Sequence, residues 1–148
     1  MDWSIVISVL ALLFSIFTYL ISDRKIKKQE HLLNEYNIKK IEQEDVENRK
    51  AYVCANMISL GRGRYSMKIY NSGKSEANNV KVEFLKELEG FYTDSNAYLY
   101  KQILPHDGVE FILYATMNCE STIGLKIEWN DSYKTTNVFE QYVNVPQC

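Results

Sequence analysis

The chain shows three successive patterns of apolar and polar positions. Residues 3–22 form a mainly apolar run without a charged side chain, residues 23–49 are almost wholly polar, and the remainder alternates apolar with polar positions. A long apolar run is typical of a membrane span, and a period of two is typical of β-strands. The pattern therefore predicts a transmembrane helix over 1–22, a charged helical linker over 23–50 and an all-β domain over 51–148.

The apolar run has the length that a membrane-spanning helix requires. Its 20 residues extend over about 30 Å as a helix, which is the thickness of the hydrocarbon core. Trp3 and Tyr19 lie near its ends, where aromatic rings prefer the membrane interface. A cleaved signal peptide would begin with basic residues and end in small ones, whereas only Asp2 is charged before the run. A buried core helix, the other alternative, would need a polar side.

Charge after the span predicts its orientation. Arg24, Lys25, Lys27 and Lys28 follow the apolar run directly, and basic residues beside a span lie on the cytoplasmic side. We therefore expect a single-pass protein of the inner (cytoplasmic) membrane, with its N-terminus outside and its C-terminal domain in the cytoplasm.

The cysteines favour the same compartment. Cys54, Cys119 and Cys148 are odd in number and widely spaced, which fits neither a disulfide framework nor a zinc site. The two histidines, His31 and His106, lie far apart. The sequence therefore predicts free thiols, as in the reducing cytoplasm, with no metal and no cofactor.

Small and hydroxylated residues in the span follow one regular pattern. Their spacings are 4, 3, 4, 3 and 4, a 3.5-residue repeat that keeps one side of a helix facing a partner helix. Small residues let two helices approach closely in lipid, so the pattern predicts a homo-oligomer, and the same side could line a narrow pore. Alternatively, each hydroxyl bonds its own backbone one turn earlier. These residues are Ser4, Ser8, Ala11, Ser15, Thr18 and Ser22.

The polar stretch favours a helix continuous with the span. It lacks glycine and proline and is rich in helix formers. Ile26, Leu33 and Tyr36 form a short apolar seam, which predicts either a short coiled coil or a solvated spacer. Its early lysines would also lie near lipid headgroups.

The alternating region predicts six or seven short strands separated by turn residues. Strands at this density in about 95 residues favour an immunoglobulin-like β-sandwich, and a small open β-barrel is the alternative. The strand-like runs are 52–58, 65–70, 80–84, 109–114, 122–129 and one within 136–145, with a less clear run at 98–103. The expected core residues are Met67, Ile69, Val80, Val82, Phe111, Leu125 and Ile127.

One stretch resembles a known hairpin. Residues 68–82 contain the pattern Asn-x-Gly-x-x-x-Ala-x-x-Val found in bacterial immunoglobulin-like modules, and Leu104-Pro105 and Trp129-Asn-Asp131 are similar to their strand-edge signatures. The layout resembles small bacterial membrane-anchored proteins with one N-terminal span and such a sandwich. Some proteins of this build are antiviral-defence membrane effectors that sense cyclic nucleotides. The resemblance implies a fold and a class, and it transfers no functional residue.

Candidate chemistry is sparse. The sequence lacks the nucleophile, Walker and zinc-protease motifs, so we expect no enzyme. Gly61-Arg62-Gly63-Arg64 is the most promising segment, because glycines expose backbone N–H groups and arginines bind phosphate with two hydrogen bonds. Lys68 and Lys74 could add charge. Alternatively, the segment is an ordinary hairpin loop with solvated arginines.

These observations predict a non-enzymatic membrane protein whose β-domain binds a ligand or partner while its spans self-associate. In the narrower hypothesis, Arg62 and Arg64 bind a phosphate-bearing or cyclic-nucleotide messenger that gates a defence effector. The alternatives are a passive scaffold for a cytosolic protein and an envelope-facing module of inverted topology. A net charge of −2 gives the chain no general affinity for duplex nucleic acid.

Overall fold

A computed structural model describes residues 3–95, 97–116 and 118–146. The chain separates into two compact units, Met1–Glu44 and Asp45–Cys148. The first unit is helical, and the second contains the last turn of the helix followed by eight β-strands.

One helix, α1 (Trp3–Asn48), contains the apolar run and the polar stretch. Its apolar window has a mean hydropathy of 2.5 and no buried residue, so α1 is long and apolar enough to cross a membrane. Past the apolar run, Ile26, Leu33 and Tyr36 are exposed. The coiled coil stays a prediction.

Two hydroxyls of the small-residue pattern bond to their own helix. The Ser8 Oγ donates to the Ser4 carbonyl at 2.9 Å. The Thr18 Oγ1 lies 3.0 Å from the Phe14 carbonyl and 2.9 Å from the Ser15 carbonyl. Such bonds satisfy the hydroxyls within lipid while leaving the small side chains exposed, so self-association stays a prediction.

The β-region forms two antiparallel sheets of four strands each. Sheet A has the order β1-β2-β6-β4 and sheet B the order β5-β3-β7-β8. Two separate sheets with this strand order confirm the immunoglobulin-like sandwich. The open-barrel alternative is wrong, because no strand of the described residues pairs with both sheets. The strands are β1 (Val53–Gly61), β2 (Arg64–Asn71), β3 (Ala77–Phe84), β4 (Phe91–Tyr92), β5 (Ala97–Ile103), β6 (Gly108–Ala115), β7 (Thr122–Asn130) and β8 (Asn137–Asn144).

Alternate residues of both sheets fill one core. All seven expected core residues are buried, with relative exposures of 8% or less. Phe111 links the two sheets, because its ring stacks on Tyr98 at 3.9 Å and meets Phe84 edge-on at 6.4 Å. The side chains that alternation directs inward therefore provide the hydrophobic driving force.

The Asn-x-Gly pattern has a structural role. The buried Asn71 side chain accepts the N–H groups of Tyr52 and Gly73 at 3.1 and 2.9 Å. Its amide donates to the carbonyls of Ser75 and Ile103 at 2.7 and 3.3 Å. A Cβ on Gly73 would lie 2.6 Å from the Tyr52 nitrogen, so a larger residue cannot enter this close approach without moving backbone. These residues are thus explained by folding.

The expectation of free thiols is only partly met. Cys54 is free, and burial raises the pKa of its thiol although a hydrogen bond with Ser72 opposes this. Cys119 is disulfide-bonded, so the expectation is wrong there, and Cys148 lies outside the described residues. Because disulfides persist in oxidising compartments, the cysteines no longer favour the cytoplasm.

Candidate interaction surface

The outer faces of the two sheets differ in chemistry. On sheet B the central strands β3 and β7 carry ion pairs, Lys81–Glu83 and Lys126–Glu128, each at 2.7 Å. Its exposed apolar side chains, Leu99, Val138 and Tyr142, lie on the edge strands β5 and β8. Alternating charges in the centre of a face are typical of a solvated surface.

The outer face of sheet A carries a row of arginine and tyrosine side chains. Arg64 is directly opposite Tyr114, and Tyr114 is directly opposite Tyr92. Directly opposite residues share a face, so the three side chains lie side by side across β2, β6 and β4. Tyr92 is 69% exposed and Tyr114 49% exposed. Tyrosine and arginine are enriched in protein interfaces.

Aliphatic side chains lie on the same face in the neighbouring row of residues and toward the edge of sheet A. Ile58 and Leu60 on β1 are half exposed, and Ile58 is opposite Ser66, which is opposite Ile112. We call Ile58, Leu60, Arg62, Arg64, Tyr92, Ile112 and Tyr114 the sheet A patch. It combines an apolar centre with positive charge at one end.

The Gly61-Arg62-Gly63-Arg64 segment is the loop of the β1–β2 hairpin. Gly61 pairs with Arg64, and the two residues between them, Arg62 and Gly63, have φ angles of 55° and 71°. Two consecutive positive φ angles define a type I′ turn, which suits the twist of a hairpin. The Gly63 carbonyl also accepts the Ala115 N–H at 2.7 Å. The hairpin-loop interpretation is thus confirmed, and both arginines remain exposed.

The four predicted cations do not converge on one small ligand. Arg62 and Arg64 are neighbours at the loop, but Lys68 lies four residues along β2, about 13 Å from Arg64, and faces Glu110 at 3.9 Å. Lys74 follows the opposite end of β2, where its ammonium donates to the Asn48 side chain at 3.2 Å. Among the described residues, no carboxylate pairs with Arg62 or Arg64.

A cleft opens beside the patch. It has a volume of about 500 Å³ and is lined by Phe84, Lys86, Glu87, Leu88, Phe91, Tyr92 and Thr93. Tyr92 belongs to both features. Lys86 is paired with Glu120 at 2.9 Å, so the charge at the rim is neutralised locally.

The exposed tyrosines were not predictable from local sequence. The nearest tyrosines to the loop in sequence are Tyr65, which is 5% exposed in the core, and Tyr70, at the far end of β2. Tyr114 and Tyr92 reach Arg64 only through the pairing of β2 with β6 and of β6 with β4. The one local indication was the alternation of apolar residues in 109–114, which places Tyr114 on the side of β6 that faces away from the core.

In the described ranges, no group of three or more His, Cys, Asp or Glu side chains lies close enough together to hold a metal ion. The side chains of the sheet A patch are guanidinium groups, phenol rings and aliphatic chains, which can form noncovalent contacts with another molecule.

Comparison with known proteins gives no family. No protein-family model and no curated protein matches the chain. A solved structure, a FixG-related protein from Vibrio parahaemolyticus, is similar at 17% sequence identity, covering 66% of this chain and 95% of that chain with a TM-score of 0.29. A likeness at this level carries no argument about this chain.

Proposed function

We propose that this protein is a single-pass membrane protein whose β-sandwich is a binding module without enzymatic activity. The difference between the two outer faces carries the proposal. Sheet B presents ion pairs at its centre, whereas sheet A presents the row of Arg64, Tyr114 and Tyr92. A surface with exposed aromatic and aliphatic side chains next to unpaired arginines is typical of a binding site.

An extended partner fits this surface better than a small messenger. Small-ligand sites enclose most of the ligand in a concavity, but the arginines lie on an open hairpin and the predicted Lys74 lies at the other end of β2. The narrower hypothesis of a messenger-gated defence effector therefore gains no support from the positions of these cations.

A photo-crosslinking experiment in membranes tests the binding module. A benzophenone amino acid replaces either Tyr92 or Tyr142, two tyrosines that are 69% and 68% exposed on opposite outer faces. We expect a covalent adduct from position 92 and none from position 142. Adducts of equal yield from both positions, or none from either, would contradict the proposal.

For orientation, we propose that the sandwich faces the cytoplasm. Four basic residues, Arg24, Lys25, Lys27 and Lys28, follow the apolar run, and a positive cluster rarely crosses the membrane. The disulfide at Cys119 favours the inverted topology as a second candidate.

Fractionation and proteolysis separate these orientations. The full chain should stay in the pellet after alkaline extraction of membranes, and protease added outside intact cells should leave the sandwich uncleaved. Cleavage of the sandwich in intact cells would establish the inverted topology. Release of the chain into the supernatant would refute the membrane anchor itself.

We also propose that the spans self-associate through the pattern Ser4 to Ser22. Clustering in a membrane raises the effective concentration of binding modules, so that even a weak contact at the sheet A patch becomes effective. A passive scaffold, the alternative, would tolerate exchange of its span for an unrelated one.

A further inference from the structure

We infer that the sheet A patch binds an acidic polypeptide segment, one in which carboxylates alternate with or adjoin apolar or aromatic side chains. This inference rests on the proposed function and names the chemistry of the partner.

The charge of the patch calls for an anionic partner. Arg62 and Arg64 are exposed and have no carboxylate partner among the described residues. Glu110, an acidic side chain on the same face, is engaged by the Ser66 hydroxyl at 2.9 Å and by Lys68 at 3.9 Å. A carboxylate from a partner would form charge-assisted hydrogen bonds with the guanidinium groups.

The apolar part of the patch indicates that the partner also carries apolar or aromatic side chains. Tyr92, Tyr114, Ile58 and Leu60 are between 49% and 69% exposed, and Tyr114 is the direct neighbour of Arg64 across the sheet. In this arrangement the tyrosine rings pack against apolar side chains of the partner, and the arginines bind its carboxylates. Tyrosine and arginine are both enriched at binding hot spots.

The size of the face favours a segment over a globular domain. Strands β2 and β6 contain eight residues each, which corresponds to a length of about 26 Å, and three strand spacings give a width of about 14 Å. The resulting flat footprint of roughly 400 Å² suits one extended segment laid across the strands.

The backbone at Arg62 adds an independent indication. Its φ of 55° places a long side chain in a region that Asn and Gly occupy at much lower cost. Strained non-glycine residues cluster at functional sites. The fold alone would be better served by Asn at this position, so a guanidinium there points to a role outside folding.

Fluorescence anisotropy with defined polymers tests the inference. The full chain, held in nanodiscs of neutral lipid, is titrated into a fluorescein-labelled random copolymer of glutamate and tyrosine. We expect saturable binding that weakens as salt rises. Polyglutamate, which lacks rings, should bind at least fivefold more weakly, and a lysine–tyrosine copolymer should not bind.

Variants assign the binding to the patch. Arg62→Gln combined with Arg64→Gln should weaken binding at least tenfold, and Tyr114→Ser at least fivefold. The matched controls on sheet B, Lys101→Gln and Tyr142→Ser, should leave the Kd unchanged. All variants should keep the unfolding midpoint of the parent chain within a few degrees.

Three outcomes would overturn the inference. These are absence of binding to the glutamate–tyrosine copolymer, equal weakening by the sheet B controls, and tighter binding of a 12-nucleotide oligothymidylate to the same patch. The last result would assign the face to single-stranded nucleic acid, whose bases also stack on exposed tyrosines. In each case crosslinking from position 92 in membranes would still decide whether the face is a binding site, so the two proposals fail separately.

Discussion

At the scale of single residues, the β1–β2 hairpin loop contains one residue that suits its backbone conformation and one that does not. Gly63 has a φ of 71° and Arg62 a φ of 55°. Glycine adopts such an angle freely, whereas arginine pays a conformational cost. An arginine at the first position of a type I′ turn, where Asn is preferred, is therefore unfavourable for stability.

We predict that Arg62→Asn stabilises the fold and weakens binding. The unfolding free energy should rise by about 0.5–1 kcal/mol because Asn tolerates the left-handed conformation. Urea unfolding followed by tryptophan fluorescence measures the first effect, and anisotropy with the glutamate–tyrosine copolymer measures the second. Arg64→Asn, at a β-strand position, is the control and should weaken binding without stabilising the chain. A destabilised Arg62→Asn variant would contradict the strain argument.

Asp131 provides a second residue-scale test, in its dependence on pH. Its carboxylate accepts the N–H groups of Ala51, Tyr133 and Lys134 at 3.0, 2.9 and 2.7 Å. Partial burial raises the pKa of Asp131, but these three donors and the Asn137 side-chain amide together outweigh burial, and the pKa is lowered. The folded state thus holds the ionised form more tightly than the unfolded state, whose pKa is about 3.9.

The contribution of Asp131 should therefore be present above pH 4 and should disappear as pH falls through the lowered pKa. Asp131→Asn should lower the unfolding free energy at pH 6 by about 2 kcal/mol. It should also reduce the loss of stability between pH 6 and pH 3. Urea midpoints of parent and variant at the two pH values measure this. If both lose stability equally on acidification, Asp131 is not the titrating group.

At the scale of elements, alternation predicted most of the sandwich, and pairing between distant strands decided the rest. Leu125, Ile127 and Trp129 alternate with the charged Lys126 and Glu128, and the structure buries all three apolar side chains. The two-residue strand β4 (Phe91–Tyr92) was not predicted because two residues cannot establish a period. The same limit applies to the patch, since Tyr92 meets Tyr114 only through the pairing of β4 with β6.

The edge of sheet A shows how a side chain replaces a missing strand. Strand β1 lies at an edge, and the Gln141 side chain on β8 donates to the Ala55 carbonyl at 2.9 Å and accepts the Ala55 N–H at 2.8 Å. An amide group reproduces both hydrogen bonds of a neighbouring strand, so it closes the sandwich on this side. The cleft lies on the other side, beside β4.

We predict that Gln141→Leu opens this edge. The Ala55 N–H and carbonyl would lose their partners, which should lower the unfolding free energy by about 2 kcal/mol. Hydrogen exchange at Ala55 should accelerate strongly, while amides of the central strands β3 and β7 stay protected. Gln102→Leu is the matched control, because this exposed glutamine of the edge strand β5 donates to the Glu76 carboxylate and not to backbone. Unchanged exchange at Ala55 would show that the bridge contributes nothing to closure.

At the scale of the whole molecule, the two units differ in how their apolar side chains are covered: the sandwich buries its own in a core, whereas the helix does not. In the unit Asp45–Cys148 the chain enters β1 at Val53 and the hairpin with Arg62 lies at the other end of the strand, roughly 30 Å away. The patch is therefore far from the point where the chain enters the sandwich. In the unit Met1–Glu44, no side chain of the apolar window is buried, and in a membrane lipid or another helix would cover it.

The pattern of small residues predicts which of these covers one side of the span. Lipid would cover all sides equally and would give no reason for six small residues at 3.5-residue spacing. A second helix would approach closely along this side, gaining van der Waals contact that large residues prevent. The hydroxyls of Ser8 and Thr18 already bond their own backbone, so at these two positions the proposed association would rest on packing rather than on hydrogen bonds between helices.

The size of the side chains, not their polarity, is therefore the property to vary. Ser8→Ala with Ser15→Ala should preserve the dimers and higher oligomers seen after chemical cross-linking in membranes, because alanine is equally small. Ser8→Leu with Ser15→Leu should abolish them. Ile7→Leu with Phe14→Leu, which keeps large side chains off the pattern, controls for a general effect of substitution. If the leucine variant on the small side still gives the full series of cross-linked oligomers, or if the alanine variant loses it, close packing of small residues is not what joins the helices.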